Sequence, residues 1–395
     1  MNFSKGLELW GGAECTVNRV HGEYFEQLGR TGHDDHVEDL DLFAELDIKA
    51  IRMPVLWERV AKRSLSSPNF SWSDERIFRL KELNIRPIVG LLHHGSGPRY
   101  TSLVDPEFPE KFAQYARLVA ERYPEVDAYT PINEILTTAR FSGLYGFWYP
   151  HAKDDVTFAR ILLNEVRGTV LAMREIRKVN PKAQLIQTDD LGKVYATPEL
   201  RYQADFDNER RWLGYELLAG SIHAAHPMHK YLRKYGEVTE AELDWHLENL
   251  ARPDIAGLNY YLSSERYLHH RLELFPPELH GGNHRDRYVD VLAARVRYEG
   301  LTGVEGLLNE AQKRLGVPLA ITEVHNGCTR EEQMRWFVDV WREAERRKRA
   351  ESMCSPLRRG HCWAHLIGID WSPRMKIDMS RAYLTFVLRG RALPR

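Results

Sequence analysis

The sequence is poor in cysteine. Cys15, Cys328, Cys354 and Cys362 are the four in 395 residues, and no two are spaced Cys-x-x-Cys. That argues against a disulfide-stapled scaffold or a Cys-rich zinc site and makes a reducing, cytoplasmic compartment the expectation. Long apolar runs are missing as well. None approaches the roughly 18 residues a membrane helix needs, and Met1-Asn2-Phe3-Ser4-Lys5 leads into Leu7-Glu8-Leu9-Trp10 without a signal-peptide core. Neither sign of charge dominates, with 55 Lys+Arg against 56 Asp+Glu and a net charge of -1. A chain whose main work is gripping nucleic acid or an anionic membrane is therefore not expected. There is no internal repeat and no low-complexity linker. A Gly-x-Gly-x-x-Gly turn is also lacking, which counts against an open dinucleotide-binding sheet.

What is present is a rhythm. Short β-branched or apolar runs alternate with amphipathic stretches of helical period. Strands are expected at Leu7–Glu14, Ile48–Pro54, Ile85–His93, Asp127–Asn133, Ala183–Thr188, Asp254–Tyr261, Pro318–Glu323 and Gly360–Ile367. Helices are expected between them, among others at Val37–Leu46, Asp74–Leu83, Phe108–Arg122, Phe158–Val179, Val304–Leu315 and Arg330–Lys348. Eight strands alternating with helices imply parallel βαβ units, and eight is the count that closes a (β/α)8 TIM barrel. The α/β barrel absorbs residues 1–395 as a single domain, with 372–395 a basic C-terminal tail.

In such a barrel the active site lies at the C-terminal strand ends. The expected ends carry Glu14, Arg52, His93-His94, Asn133-Glu134, Asp189-Asp190, Asn259-Tyr260-Tyr261 and Glu323, with Trp363 on the last strand and Asp370-Trp371 beyond it. One polar strand end is usually a helix cap; eight on one face describe a pocket. Glu134 and Glu323 each close an apolar strand on opposite sides of the barrel. Glycoside hydrolysis needs such a pair, one carboxyl protonated and one ionised. The 10 Trp and 18 Tyr are either core filling or platforms for sugar rings.

These residues resemble glycoside hydrolase family 1, the β-glucosidase-like retaining barrels. Arg52-Met53-Pro54-Val55-Leu56-Trp57-Glu58-Arg59 keeps R-x-x-x-x-W-x-R, and Thr130-Pro131-Ile132-Asn133-Glu134 is similar to the T-x-N-E-P segment. Gly257-Leu258-Asn259-Tyr260-Tyr261 resembles G-x-N-Y-Y, and Ile321-Thr322-Glu323 with Asn326-Gly327 resembles I-T-E-N-G with Val324-His325 inserted. Trp363 and Trp371 keep the separation of the family's W-S-L-L-D-N-F-E-W.

The resemblance implies that Glu134 is the general acid and then base, and that Glu323 is the nucleophile. It further implies that Asn133 holds the sugar 2-hydroxyl and that Arg52 and Tyr261 orient the nucleophile. Sugar contacts are implied for Asn18, His94, Asn259, Tyr261, Trp363, Asp370 and Trp371.

Several sugar-reading positions depart from the family: Asn18 stands for Gln, Gly95 for Trp, Ile135 for Pro and Asp370 for Glu. The expectation is a retaining β-glycosidase with an altered glycone preference. A transglycosidase using the same intermediate and a catalytically silent sugar-binding barrel are the alternatives. The chain also resembles a divergent bacterial branch whose barrel is fused to a reductase. The expected ligand is a small-molecule glycoside or oligosaccharide, with no cofactor and no metal. His33, Asp34, Asp35 and His36 read as a solvated helix start. The segment bearing His269-His270, His280 and His284 reads as a loop or lid over the pocket, and Phe141–His151 as an aglycone wall.

Overall fold

The computed structural model describes residues 7–325, 328–353 and 366–370. Eight parallel strands close into a barrel. They are β1 (Glu8–Gly12), β2 (Ala50–Pro54), β3 (Arg86–His93), β4 (Ala128–Asn133), β5 (Gln184–Asp190), β6 (Ile255–Tyr261), β7 (Leu319–His325) and β8 (Leu366–Asp370). Neighbours pair in chain order, and β8 returns to β1 with Leu366 opposite Glu8 and Asp370 opposite Gly12. The (β/α)8 architecture read from the sequence is the one observed.

The strands form because their side chains are wanted on both faces. All six residues of β4 are buried, as expected for a strand with a filled barrel inside and helices outside. The interior is a layer of Trp10, Ala50, Ile88, Ala128, Ile186, Ile255 and Ala320, one from each of β1 to β7. Three alanines make room for the one indole, so the layer fills without a pore. Outside, the helices Phe108–Arg122 and Asp155–Val179 lie against each other. The second is started by Asp154, whose carboxylate accepts the Thr157 N–H at 2.7 Å. Trp57 belongs to this outer layer: its buried ring stacks on Tyr115 with centroids 5.8 Å apart, and its Nε1 donates to Tyr100 at 2.9 Å. With Trp10 and Trp212 also fully buried, much of the aromatic richness is core.

Three local expectations are corrected. The eighth strand, expected at Gly360–Ile367, ends at Asp370, because Leu366-Ile367-Gly368-Ile369 is the run that pairs with β1. Val324 and His325 do not lengthen a loop but continue β7, opposite Tyr260 and Tyr261. The extra residue is instead taken up at Thr322, where the β6–β7 register shifts so that Glu323 falls opposite Asn259. Such a bulge re-aims the next side chain. Finally, the segment after β6 is no bare loop. Residues 265–269 pair with 193–196 on one side and with 287–292 on the other, and 287–292 pairs in turn with 280–282, in a small four-stranded sheet separate from the barrel sheet. Trp363, Trp371 and the 372–395 tail lie outside the described residues. Among the described residues, no helix is long and apolar enough to cross a membrane.

Candidate active site

Glu134 follows β4 directly and sits in the left-handed region, φ 46° and ψ 64°. For a residue with a Cβ that conformation costs roughly 1–3 kcal/mol, so the surroundings must hold it. Its own N–H donates to the Thr188 carbonyl of β5 at 3.1 Å, and its carbonyl accepts from Thr138 at 2.9 Å. The next turn is held by Asp189, which accepts the Leu136 N–H at 2.9 Å and the Thr137 hydroxyl at 3.3 Å. Asn259 of β6 donates to Glu134 Oε1 at 2.6 Å, while its own oxygen accepts from Thr322 at 2.6 Å. The side chain is 3 % exposed. Burial first, then the charges of Glu323, Asp189 and Asp190, push its carboxyl well above the usual range.

Glu323 is treated in the opposite way. Arg52 of β2 donates to its Oε1 at 2.7 Å, and the Tyr261 hydroxyl donates to its Oε2. Burial would raise this carboxyl, but the Arg52 guanidinium and the Tyr261 hydrogen bond outweigh it and hold the group below the usual range. The two carboxyls are thus driven apart in protonation, and the charge of Glu323 is part of what raises Glu134.

Asn133 ties the two halves together. Its Oδ1 accepts from Arg52 Nη2 and from the Thr188 hydroxyl, the latter at 2.8 Å. Its amide nitrogen therefore points the other way, 3.2 Å from His93 Nε2 and 3.3 Å from His94 Nε2. Both imidazoles must accept there, so both carry their proton on Nδ1. His93 then donates to Cys15 Sγ at 3.3 Å and His94 to Thr138 at 3.0 Å. Burial pushes the two rings down, to about 4 and about 3, which keeps both neutral near pH 7. His94 Nε2 lies 3.6 Å from Glu134 Oε2.

Of the residues singled out in the sequence, Arg52, His94, Asn133, Glu134, Asn259, Tyr261 and Glu323 meet in one hydrogen-bonded constellation. Asn18 does not join it. It lies half-buried on the hairpin formed by 17–20 and 23–26, opposite Phe25. Among the described residues, no hydrogen bond links it to either carboxyl. Asp370 ends β8 beside Gly12 of β1. At Gly95 the Glu58 carboxylate comes close to the backbone: a Cβ there would meet Glu58 Oε1 at 1.9 Å. Glu58 accepts the Gly97 N–H at 3.0 Å, and burial pushes its carboxyl up to about 8. Within Phe141–His151, Trp148 reaches His94 with ring centroids 5.0 Å apart. His33 pairs with Asp39 at 2.7 Å.

Sequence reasoning missed the supports. Thr188 and Thr322 read as ordinary strand residues, Cys15 only as a cysteine count, and Asp189 as one of eight polar ends. Glu14, noted only as a strand end, accepts the Thr16 N–H at 2.8 Å and acts electrostatically on both His94 and Tyr261.

The model of glycosyl hydrolase family 1 matches residues 5–343. This chain belongs to glycosyl hydrolase family 1. Among curated family relatives, it is 24% identical over 312 residues to a 6-phospho-beta-glucosidase of Clostridium longisporum, covering 67% of this chain and 64% of the relative. It is 23% identical over 274 residues to beta-glucosidase A of Thermotoga maritima, covering 65% and 59%. The chain thus spans less than two thirds of the length of these relatives. Among solved structures, the Thermotoga maritima beta-glucosidase in complex with a methoxycarbonyl-substituted glucoimidazole superposes with a TM-score of 0.69 at 16% identity, over 92% of this chain and 88% of that one. The same enzyme with cyclophellitol gives 0.67 at 17%, with the same coverage. These likenesses establish the family 1 barrel fold.

Proposed function

We propose that this family 1 hydrolase is a retaining β-glycosidase working by double displacement, with a glycone preference that differs from that of a plain β-glucosidase. The observation that carries the reading is the arrangement of the two buried acids at the ends of β4 and β7: Glu323 bonded by Arg52 and Tyr261, Glu134 by Asn259, so that their surroundings push the two carboxyls in opposite directions. In the first step, the Glu323 carboxylate attacks the anomeric carbon. The glycosidic bond breaks, and the Glu134 proton passes to the departing oxygen, which leaves as the aglycone alcohol. In the second step, Glu134, now a carboxylate, takes a proton from water as that water attacks the anomeric carbon and Glu323 is released. Asn133 holds the sugar 2-hydroxyl, a contact that tightens in the oxocarbenium-like transition state.

The altered glycone preference is supported by the wall beside His94. There a Cβ at Gly95 would meet the Glu58 carboxylate, and Asn18 sits on its hairpin opposite Phe25. The β-linked glycoside is proposed from the names of the relatives and from this acid pair. The barrel is proposed to be one domain, with 372–395 as a divergent tail.

Proton NMR of the first-formed product from an aryl β-glycoside, chosen by screening many glycones, tests the mechanism. A β-anomer appearing first is the expected result, and an α-anomer first overturns it. A 2-deoxy-2-fluoro glycoside of the same sugar should add its mass to the peptide containing Glu323, and Glu323→Gln should be neither labelled nor active.

A further inference from the structure

On the turn that follows Glu134 stands an arginine with no carboxylate within ion-pair distance among the described residues. Arg140 lies six residues beyond Glu134, where the helix Ile135–Ala139 passes into a wider turn over Arg140–Leu144. It is half-buried, and its Nη2 donates to the Thr137 hydroxyl at 3.3 Å, its one hydrogen bond among the described residues. Its Nε is buried with no partner. Other buried or half-buried arginines nearby are paired: Arg52 with Glu323 at 2.7 Å, Arg210 with Asp207 at 2.6 Å and Arg211 with Glu310 at 2.5 Å. The acids that face Arg140 are Asp189, Asp190 and Asp290. Each is beyond ion-pair distance and bonded elsewhere: to Leu136 N–H, to the Ser264 hydroxyl at 2.5 Å and to Arg266 at 2.8 Å respectively. A guanidinium has five donors, and burying the Nε–H of this one without a partner is costly unless something arrives to take it.

A second such arginine stands on the other flank of the same wall. Arg19 lies 3.9 Å from the Tyr149 ring centroid and 5.8 Å from that of Tyr24. Its Nε is buried without a partner, and no carboxylate is within ion-pair distance among the described residues. Its carbonyl accepts the Tyr149 N–H at 2.8 Å, which ties it to the wall. Between the two arginines runs an aromatic band. Phe141 and Trp148 have centroids 4.9 Å apart, Trp148 touches His94, and Phe147 is 60% exposed. The band offers apolar faces to a planar group, and each end carries an arginine with no carboxylate within ion-pair distance among the described residues.

We propose that Arg140, with Arg19 across the aromatic band, forms an anion-binding aglycone site, so that the natural substrate carries a carboxylate or phosphate on its leaving group. This rests on the glycosidase reading above, because it is Glu134 as acid that makes this flank the leaving-group side. Arginine suits the task, since its planar fork meets either anion with two parallel hydrogen bonds.

The test is calorimetric binding of hydrolysis-resistant 1-thio-β-glycosides, with the glycone taken from the aryl-glycoside screen. The aglycones are phenyl, 3-carboxyphenyl and 3-phosphonophenyl, and a fourth probe carries phenyl with a 6-phosphate on the sugar. The wild type is expected to bind the two anionic aglycones about tenfold more tightly than phenyl, weakening with salt. Arg140→Gln should bring that ratio close to one, Arg19→Gln should lower it in part, and Arg140→Lys should keep most of it. No preference in the wild type overturns the proposal, as does a preference untouched in the Arg140→Gln, Arg19→Gln double variant. A preference for the 6-phosphate alone overturns it too, since the anion then belongs to the glycone. Turnover of the matching 4-nitrophenyl glycosides is read on the same protein. Absent turnover with the binding preference intact sinks the glycosidase reading and leaves the anion site standing.

Discussion

Arg52 donates to Glu323 at 2.7 Å across the barrel from β2 to β7, and with its second nitrogen reaches Asn133 at the end of β4. One guanidinium therefore both charges one carboxyl and orients the amide next to the other. A buried ion pair of this kind contributes little net stability, because the desolvation cost offsets most of the attraction. Its value lies in fixing which acid is ionised.

The first prediction concerns that charge. Arg52 holds the Glu323 carboxyl down, so its removal lets burial push the group up. In Arg52→Gln the acid limb of the kcat/KM profile should move to higher pH, and kcat/KM near pH 7 should fall by about a hundredfold, the lower range for a misplaced charged group. An acid limb that stays where it was would show that Arg52 does not control the ionisation.

Glu134 titrates in the other sense. Its carboxyl is raised, so the protonated form that the proposed acid role requires is present at low pH and is lost as pH rises through its elevated value. Glu134→Ala should lose about 10²–10⁴-fold on aryl glycosides with poor leaving groups but keep most of its activity on 2,4-dinitrophenyl glycosides. The alkaline limb should vanish for those activated substrates. Added azide should restore turnover and yield a β-glycosyl azide. Equal losses for good and poor leaving groups would remove Glu134 from the acid role.

A third prediction concerns stability rather than turnover. Glu165, in the middle of the helix Asp155–Val179, is fully buried, and neither of its oxygens has a hydrogen-bond partner. Burial, then the charge of Asp189, pushes its carboxyl well above the usual range. A group raised on folding leaves stability intact below its unfolded value, near 4.5, and drains it as pH rises toward the folded value. The melting temperature of the wild type should therefore decline from mildly acidic to alkaline pH. Glu165→Gln cannot ionise, so its melting temperature should decline less and exceed that of the wild type by several degrees at pH 8. A variant that melts lower than the wild type at every pH would refute this account.

The barrel was legible because period and count survive without tertiary information. Runs such as Ala128–Asn133 and Ile255–Tyr261 are mostly apolar on both faces up to the polar residues that end up in the site, as strands buried on both faces require. The positions of Glu134, Asn259 and Glu323 at strand ends followed from the same reading. The small sheet over 193–196, 265–269, 280–282 and 287–292 was not legible. Its strands are short, mixed in polarity and paired across long stretches of chain, so no local period marks them.

By itself, then, the sequence determined the kind of fold and which acids stand at its mouth, since both depend on local periodicity and on residue chemistry. Only the tertiary structure decided how those acids differ. The bulge at Thr322 sets Glu323 opposite Asn259, and the left-handed turn at Glu134 is held by Asp189 and Thr188 from the next strand. The placement of Arg52 and Arg140, one with a carboxylate and one without, is likewise a matter of distance between segments far apart in the chain. Protonation and partner choice depend on burial and separation in space, and neither is encoded in the order of residues along a strand.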